Sequence, residues 1–163
     1  MDKVKGAVFN IIAPRIHNSV VLDLFSGSGS IGIEALSRGA SKAVFVDNSR
    51  KSVNIIKENL IHTKLIDKSV IINEDVQKAC DILSEKLVKF NIIFMDPPYN
   101  KKFVEKTLIF LSSSDILYRD GIIIVEHSKE DELPKVVGNL ERVRDKRYGI
   151  TIISFYKFTK GSE

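Results

Sequence analysis

Short apolar runs alternate with helix-like segments along most of this 163-residue chain. The runs start near residues 19, 42, 69, 91 and 121, and amphipathic segments such as Lys51 to His62 separate them. This alternation is typical of βαβ units, because two parallel strands of one sheet need a crossover connection between them. The segments 140–147 and 150–158 instead flank Tyr148-Gly149, which predicts an antiparallel hairpin. We therefore expect an α/β protein with a doubly wound sheet of seven strands, parallel except for one strand of the C-terminal hairpin.

Helix signals place a first helix before the first strand. Val4 to Ile12 has helical spacing, and Pro14 is expected to end this helix because proline lacks an N–H donor and clashes with the preceding turn. Ser30 to Arg38 is expected to form a helix that ends at Gly39, a common residue at helix C-termini. No heptad pattern indicates a coiled coil, so we expect a monomer.

Composition indicates an ordinary globular protein with one domain, residues 1–163. Hydrophobic residues make up 44% of the chain, and no apolar run approaches the roughly 20 residues of a membrane span. The first five residues lack the apolar stretch of a signal peptide, so we expect a cytoplasmic protein with no membrane contact. The lone Cys80 and the scattered His17, His62 and His127 lack ligand-like spacing, which predicts no metal site. The histidines are expected on the surface or in loops.

A glycine pattern follows the first predicted strand. Gly27, Gly29 and Gly32 form G-x-G-x-x-G at a strand-to-helix turn, where glycine lets the backbone approach a ligand and the helix offers unpaired N–H groups. Asp47 follows the second strand about twenty residues further on, where an acid commonly binds a ribose. The pattern alone suits both a nicotinamide dinucleotide and S-adenosylmethionine.

Two further acids favour S-adenosylmethionine. Asp23 precedes the glycine turn and can hold a cationic group, either directly or by orienting the turn, whereas it would repel a pyrophosphate. S-adenosylmethionine carries an ammonium and a sulfonium. Asp75 follows the third strand, where an acid can accept a hydrogen bond from an adenine amino group. Each acid also has a structural alternative. Asp23 could be a strand-end acid bound to backbone N–H groups, and Asp75 could be the N-cap of a helix beginning at Val76.

The segment Asp96-Pro97-Pro98-Tyr99 directly follows the fourth predicted strand. Ligands bind at the carboxyl ends of the strands in an open parallel sheet. Two consecutive prolines fix the backbone and remove two N–H donors, so this edge can only accept hydrogen bonds. A carboxylate and an aromatic ring beside it suit the exocyclic amine of a nucleobase, which needs two acceptors and a face to stack on. The structural alternative is a rigid turn with Tyr99 in the core.

These segments resemble a known family. Asp96 to Tyr99 resembles the motif of methyltransferases that act on nucleobase amino groups, both adenine-N6 and guanine-N2. The segments 2–10 and 22–39 resemble more specifically the bacterial 16S ribosomal RNA guanine-N2 methyltransferases of RsmD type. This resemblance spans nearly the whole chain. The resemblance implies a Rossmann-like class I fold, S-adenosylmethionine as methyl donor with S-adenosylhomocysteine as product, and 16S rRNA in a 30S subunit or assembly intermediate as substrate.

The resemblance also implies roles for individual residues. The target base would be held by Asp96, Pro97, Pro98 and Tyr99, and no metal is required. The cofactor site would be formed by Asp23, Gly27, Gly29, Asp47 and Asp75, with the adjacent Asn48 and Val76. Family members usually carry a basic, glycine-containing segment before the first helix. This sequence begins at Met1-Asp2, within that region, so we expect the N-terminal RNA-binding arm to be absent. Gly6 stands where the family usually has glutamate.

Basic residues in two places are candidates for RNA contact. Lys101 and Lys102 continue directly from the Asp96 to Tyr99 segment and are expected at its rim, near RNA phosphates. Arg142, Arg144 and Lys146 would share one face of the predicted hairpin by simple alternation. A solvated helix start and an exposed polar sheet face are the respective alternatives.

Three other functions stay open from the sequence. A DNA adenine-N6 or other nucleobase amino methyltransferase is the nearest, although no target-recognition domain is evident. A nicotinamide-dependent oxidoreductase would leave the Asp96 to Tyr99 segment without a role. A catalytically inactive RNA-binding protein is the third. Cofactor titration and methyl-transfer assays separate them.

Overall fold

The computed structural model describes residues 2–97 and 101–159. Within these ranges the chain forms five α-helices, a short 3₁₀ turn at Ile66–Lys68 and eight strands. The helices are α1 (Asp2–Ile16), α2 (Ser30–Ser37), α3 (Arg50–His62), α4 (Val76–Glu85) and α5 (Lys101–Ser113). The strands are β1 (Val20–Leu24), β2 (Lys42–Val46), β3 (Ser69–Ile72), β4 (Phe90–Met95), β5 (Leu117–Ser128), β6 (Val136–Val137), β7 (Leu140–Tyr148) and β8 (Thr151–Phe158).

All the strands belong to one sheet, in the order β3-β2-β1-β4-β5-β8-β7-β6. Strands β1 to β5 pair in parallel, whereas β8 is antiparallel to β5, β7 to β8 and β6 to β7. The order reverses beside β1, because β2 lies on one side of it and β4 on the other. The predicted doubly wound α/β fold is confirmed, and this reversal is the point where such sheets open a crevice for ligands.

The strand count differs slightly from the prediction, since the described residues form eight strands rather than seven. The additional strand, β6, has only two residues, which pair with Leu140 and Glu141. A two-residue strand is too short to produce an alternating pattern. Both β6 and β8 therefore run against the five parallel strands.

The prediction that α1 ends near Pro14 was wrong, because the helix continues to Ile16. Proline removes one hydrogen bond of the helix, but only two helical residues follow it here. Ile12 and Ile16 are both buried in the core, and the Ile16 carbonyl accepts hydrogen bonds from the Ser19 N–H and hydroxyl. Packing and these bonds hold the last turn in place.

Each face of the sheet has its own apolar core. On one face, which we call the α1 face, side chains of the central strands pack against α1, α2 and α3. On the other, the α4 face, they pack against α4 and α5. Successive residues of a strand alternate between the two cores, as Val21 and Leu22 do. No helix within the described ranges has the length and apolar character needed to cross a membrane.

Candidate cofactor and substrate site

A cavity of about 640 Å³ opens at the carboxyl ends of the parallel strands. This volume lies in the usual range for small-molecule sites. Its lining includes Phe25, Gly27, Val46, Asp47, Asn48, Glu74, Asp75, Val76, Asp96, Pro97, Phe103, Val104, Glu126, His127, Ser128, Asp131, Ile150 and Thr151. Most of the predicted site residues that the structure describes therefore meet in one place.

The glycine turn forms one wall of the cavity. Phe25, Gly27 and Gly29 all have positive φ angles, of 62°, 59° and 82° respectively. Gly29 is packed so tightly that a β-carbon there would lie 3.3 Å from the Ile56 side chain. Gly27 lines the cavity, whereas Gly29 lies outside the lining residues and lets the turn sit directly on the core.

Asp23 lies beneath the turn rather than in the cavity lining. Its side chain is buried, and its Oδ2 accepts a hydrogen bond from the Gly32 N–H at 3.1 Å. Burial raises the pKa of Asp23 to about 7, against the opposing effect of the Gly32 bond; negative charge on Asp96 and Asp47 raises it further. The structural alternative for Asp23, a strand-end acid bound to a backbone N–H group, is thus observed, and the bond to Gly32 also orients the turn.

Asp47 and Asp75 both line the cavity and both also hold the backbone. Asp47 accepts hydrogen bonds from the N–H groups of Gly27 and Ser49, each at 2.9 Å. Asp75 is the N-cap of α4 and accepts from the Lys78 N–H at 2.8 Å. The capping alternative for Asp75 is thus observed, and its position in the cavity wall leaves an adenine contact open as well. Asn48 and Val76 lie beside these acids in the lining.

The opposite wall brings two carboxyl groups together. Asp96 follows β4 and Glu126 lies near the end of β5, one residue beyond the paired Met95 and Val125. Their side chains lie within hydrogen-bonding reach of each other. Desolvation raises the pKa of both groups, that of Glu126 to about 7, where the negative charge of Asp96 adds to the effect. Pro97 lies beside Asp96 in the lining, and Pro98 and Tyr99 are outside the described residues.

The sequence interpretation assigned no role to Glu126, although the signal was available. Glu126 occupies the carboxyl end of β5 as Asp96 does that of β4, and strand-end acids of neighbouring parallel strands meet. The interpretation also missed the aromatic pair of Phe25 and Phe103, whose ring centroids are 5.3 Å apart at the cavity wall. No sequence signal joins these two residues, because their contact depends on how α5 packs.

The predicted RNA-contacting residues are only partly brought together. Lys101 and Lys102 begin α5, directly before Phe103 and Val104 of the cavity wall. Lys102 is exposed and lies near the rim, and the side chain of Lys101 is not described. Arg142 and Arg144 lie on β7, away from the lining residues.

The prediction that Arg142, Arg144 and Lys146 share one face was wrong for Arg142. Arg142 pairs with Tyr156 and Arg144 with Phe155, since the register shifts between them. This β-bulge inserts Val143 and reverses the alternation. Arg142 consequently lies on the α4 face and donates to the Leu133 carbonyl at 2.9 Å, whereas Arg144 lies over the Phe155 ring on the α1 face.

His127 is a strand residue with a structural set of contacts, not the loop residue that was expected. Its Nδ1 faces the carbonyl oxygens of Ser128 and Asp131 at 3.0 and 3.1 Å, so this nitrogen carries a proton and donates. Its Nε2 lies 2.7 Å from the Ser154 hydroxyl, which donates to Asp145 on β7 at 2.7 Å. The chain of bonds connects β5, β8 and β7 beside the cavity.

The charge of the lining is strongly one-sided. Six of the lining residues that the structure describes are acidic, and none is Lys or Arg: Asp47, Glu74, Asp75, Asp96, Glu126 and Asp131. Residues 2–97 and 101–159 also contain no cluster of three or more His, Cys, Asp or Glu side chains that could hold a metal ion. The cavity therefore suits an organic cation better than a phosphate.

The reversed strand order, the glycine turn after β1 and the antiparallel strands after β5 define a Rossmann-like protein with the class I methyltransferase fold. The family described as Conserved hypothetical protein 95 matches residues 1–157. This chain belongs to that family, the RsmD type.

Individual relatives are similar over most of their length. YlbH of Bacillus subtilis is 38% identical over 156 residues, 96% of this chain and 85% of that protein. Ribosomal RNA small subunit methyltransferase D of Escherichia coli K12 is 33% identical over 96% of this chain and 77% of its own length. A solved structure of a conserved hypothetical protein from Streptococcus pyogenes superposes with a TM-score of 0.86 at 36% identity, covering 98% of this chain and 97% of that one.

Proposed function

We propose that this protein transfers a methyl group from S-adenosylmethionine to the exocyclic N2 amine of a guanine in 16S ribosomal RNA. One observation carries the proposal: a single cavity joins a wall that suits a cationic nucleoside to a wall with acceptors for an amine. The name of the Escherichia coli relative, a small-subunit rRNA methyltransferase, supports the same reaction class and substrate.

The wall nearest the glycine turn fits S-adenosylmethionine. The ligand's ammonium and sulfonium would be attracted by the acidic lining, whereas the pyrophosphate of a nicotinamide dinucleotide would be repelled by it. Gly27, Asp47, Asn48, Asp75 and Val76 would contact the ligand, with Asp75 accepting from an adenine amino group. From beneath, Asp23 and Gly29 would hold the turn in shape.

The wall at the end of β4 would prepare the amine. The sulfonium supplies an electrophilic methyl group, so the protein's tasks are alignment and nucleophile preparation. The guanine N2 lone pair is delocalised into the ring. The Asp96 carboxylate and the Pro97 carbonyl would each accept one N2 hydrogen, which favours a pyramidal nitrogen and frees the lone pair. As the bond between N2 and the methyl carbon forms, the S–CH₃ bond would break and S-adenosylhomocysteine would leave. One N2 proton would pass to Asp96.

The remaining assignments concern how RNA reaches this wall. Tyr99 would stack on the guanine once it has left its own base stack, a contact worth about 1–3 kcal/mol in other proteins. Lys101 and Lys102 would contact phosphates at the rim, and Arg142 and Arg144 would contribute outside it. We propose one domain, residues 1–163, acting as a monomer on a 30S subunit or assembly intermediate.

The test is transfer of a labelled methyl group from S-adenosylmethionine to ribosomal RNA and to 30S particles. We expect label on the guanine exocyclic amine. In Asp96→Ala we expect the rate of methyl transfer to fall more than about tenfold, since one of the two hydrogen-bond acceptors for the amine is removed. Asp67→Ala changes an exposed acid outside the cavity lining and is the matched control. Label on adenine N6 would contradict the guanine assignment. Calorimetry that shows binding of a nicotinamide dinucleotide would contradict the assignment of S-adenosylmethionine as the cofactor.

A further inference from the structure

Glu126 and Asp96 occupy equivalent positions on neighbouring strands. Phe94 pairs with Ile124 and Met95 with Val125, so the next residues along each strand, Asp96 and Glu126, are adjacent. Phe94 and Ile124 both belong to the core of the α1 face. Side chains two residues further along a strand point to the same face. The two carboxyl groups therefore share one face, one cavity wall and a hydrogen bond.

A hydrogen bond between two carboxyl groups requires one proton, because two carboxylates can only accept. Asp96 is the more exposed of the pair and stands beside Pro97 at the predicted amine position, whereas Glu126 lies deeper and is half-buried. The more exposed group keeps its negative charge at lower cost, so we assign the proton to Glu126. Glu126 is then the donor and Asp96 the ionised acceptor.

The described lining of the cavity contains no Lys or Arg that could replace this proton. The other titratable residues of the lining are Asp47, Glu74, Asp75, His127 and Asp131, and Asp23 lies two positions below Asp96 on the same face. The His127 ring is engaged with Ser128, Asp131 and Ser154. From β8, Ile153 stands opposite Glu126, and α1, which covers this face, carries Lys3 and Lys5, the latter paired with Glu34 at 3.8 Å.

We propose that protonated Glu126 is a positioning residue, which donates a hydrogen bond to the Asp96 carboxylate and fixes it against the target amine; this inference rests on the proposed function. The bond holds one Asp96 oxygen, so the other is aimed into the cavity. It also keeps the pair at a single negative charge. When Glu126 ionises, the donor is lost and two adjacent anions repel each other.

A bell-shaped dependence of kcat on pH follows. Asp96 must be ionised to accept the N2 hydrogen, which sets the acidic limb, and Glu126 must be protonated, which sets the basic limb near the pKa of about 7. The two limbs report apparent pKa values of the pair.

Three variants of the whole protein test this arrangement in the methyl-transfer assay. In Glu126→Gln the amide donates to Asp96 at every pH, so we expect kcat within about threefold of wild type near pH 6.5 and the basic limb removed. Glu126→Ala has no donor, and we expect kcat to fall by about tenfold or more. Glu132→Gln changes an exposed acid outside the lining and should keep the wild-type profile. Glutamine as damaging as alanine, or an unchanged basic limb, overturns the proposal.

Carboxyl-carbon NMR titration provides a readout without catalysis. We expect the Glu126 carboxyl to titrate near pH 7 in the wild type and at lower pH in Asp96→Asn, where its charged acceptor is gone. An ordinary Glu126 titration in the wild type overturns the inference. A wild type that shows this titration but transfers no methyl group overturns the proposed function and leaves the carboxyl pair intact.

Discussion

At the scale of single residues, the two glycines at positions 32 and 6 differ in the space around them. A β-carbon at Gly32 would lie 2.3 Å from the ring of Phe45, which is fully buried, whereas one at Gly6 would meet nothing within 4 Å. Glycine is therefore needed at position 32, because the first turn of α2 packs directly on the core. Gly6 has no such reason within α1.

Gly32→Ala and Gly6→Ala are thus a matched pair. We expect Gly32→Ala to lower the free energy of unfolding by about 1–3 kcal/mol, because Phe45 has to move in a packed core. We expect Gly6→Ala to raise it by about 0.5–1 kcal/mol, because alanine loses less chain entropy in a helix. Urea denaturation measures both. A Gly32→Ala protein as stable as the wild type would contradict the packing argument.

Site residues were predictable where chain order alone places them. The acids after β2, β3 and β4 and the first glycine of the turn lie in one cavity because strand ends in a parallel sheet meet at one edge. The positions of Asp23 and Gly29 behind the wall depend on how the turn packs, which no pattern along the chain encodes. The same is true of the contact between the carboxyl groups of Asp96 and Glu126.

At the scale of elements, strands were easier to locate than their irregularities. β2 and β3 begin at the predicted residues, 42 and 69, because each is a short apolar run between polar turns. The β-bulge at Val143 has no clear signal in the sequence, since residues 141–147 are charged except for Val143 and show no alternation that a bulge would interrupt. The bulge nevertheless moves Arg142 to the other face. The extension of α1 past Pro14 likewise depends on tertiary packing.

The hydrogen-bond chain from His127 to Asp145 stabilises the antiparallel part of the sheet. Ser154 is fully buried on β8, and Ser154→Ala would leave the His127 Nε2 without its partner. We expect the free energy of unfolding to fall by about 1–3 kcal/mol, the usual cost of an unsatisfied buried polar group. Urea denaturation tests this, with the exposed Ser37→Ala in α2 as control. Equal stability of the two variants would show that these hydrogen bonds contribute nothing to the free energy of unfolding.

At the scale of the whole molecule, three carboxyl groups at the centre of the sheet respond to pH together. Asp23, Asp96 and Glu126 lie on the α1 face of neighbouring strands, and the pKa of each is raised. A carboxyl group with a raised pKa binds more protons in the folded than in the unfolded state. Its contribution therefore favours folding below the folded pKa and is lost as pH rises from about 4 to 7.

Asp23→Asn should remove most of the Asp23 part of this dependence. We expect the free energy of unfolding of the wild type to decline from pH 4 to 7 by a few kcal/mol on account of Asp23, and the variant to decline less. Asparagine retains an oxygen that can accept from the Gly32 N–H. Urea denaturation at several pH values measures the slopes, with Asp67→Asn as an exposed control. Parallel slopes for wild type and Asp23→Asn would contradict the raised pKa.

The acidic lining has a consequence for any polyanion that approaches the protein. The chain as a whole carries a net charge of +4, while the described lining of the cavity contains six acids and no Lys or Arg. The long-range field thus attracts phosphates to the molecule, and the short-range field keeps them out of its opening. Such an opening acts as a charge filter: a phosphodiester backbone is held at the surface, and only an uncharged or cationic part can pass inside.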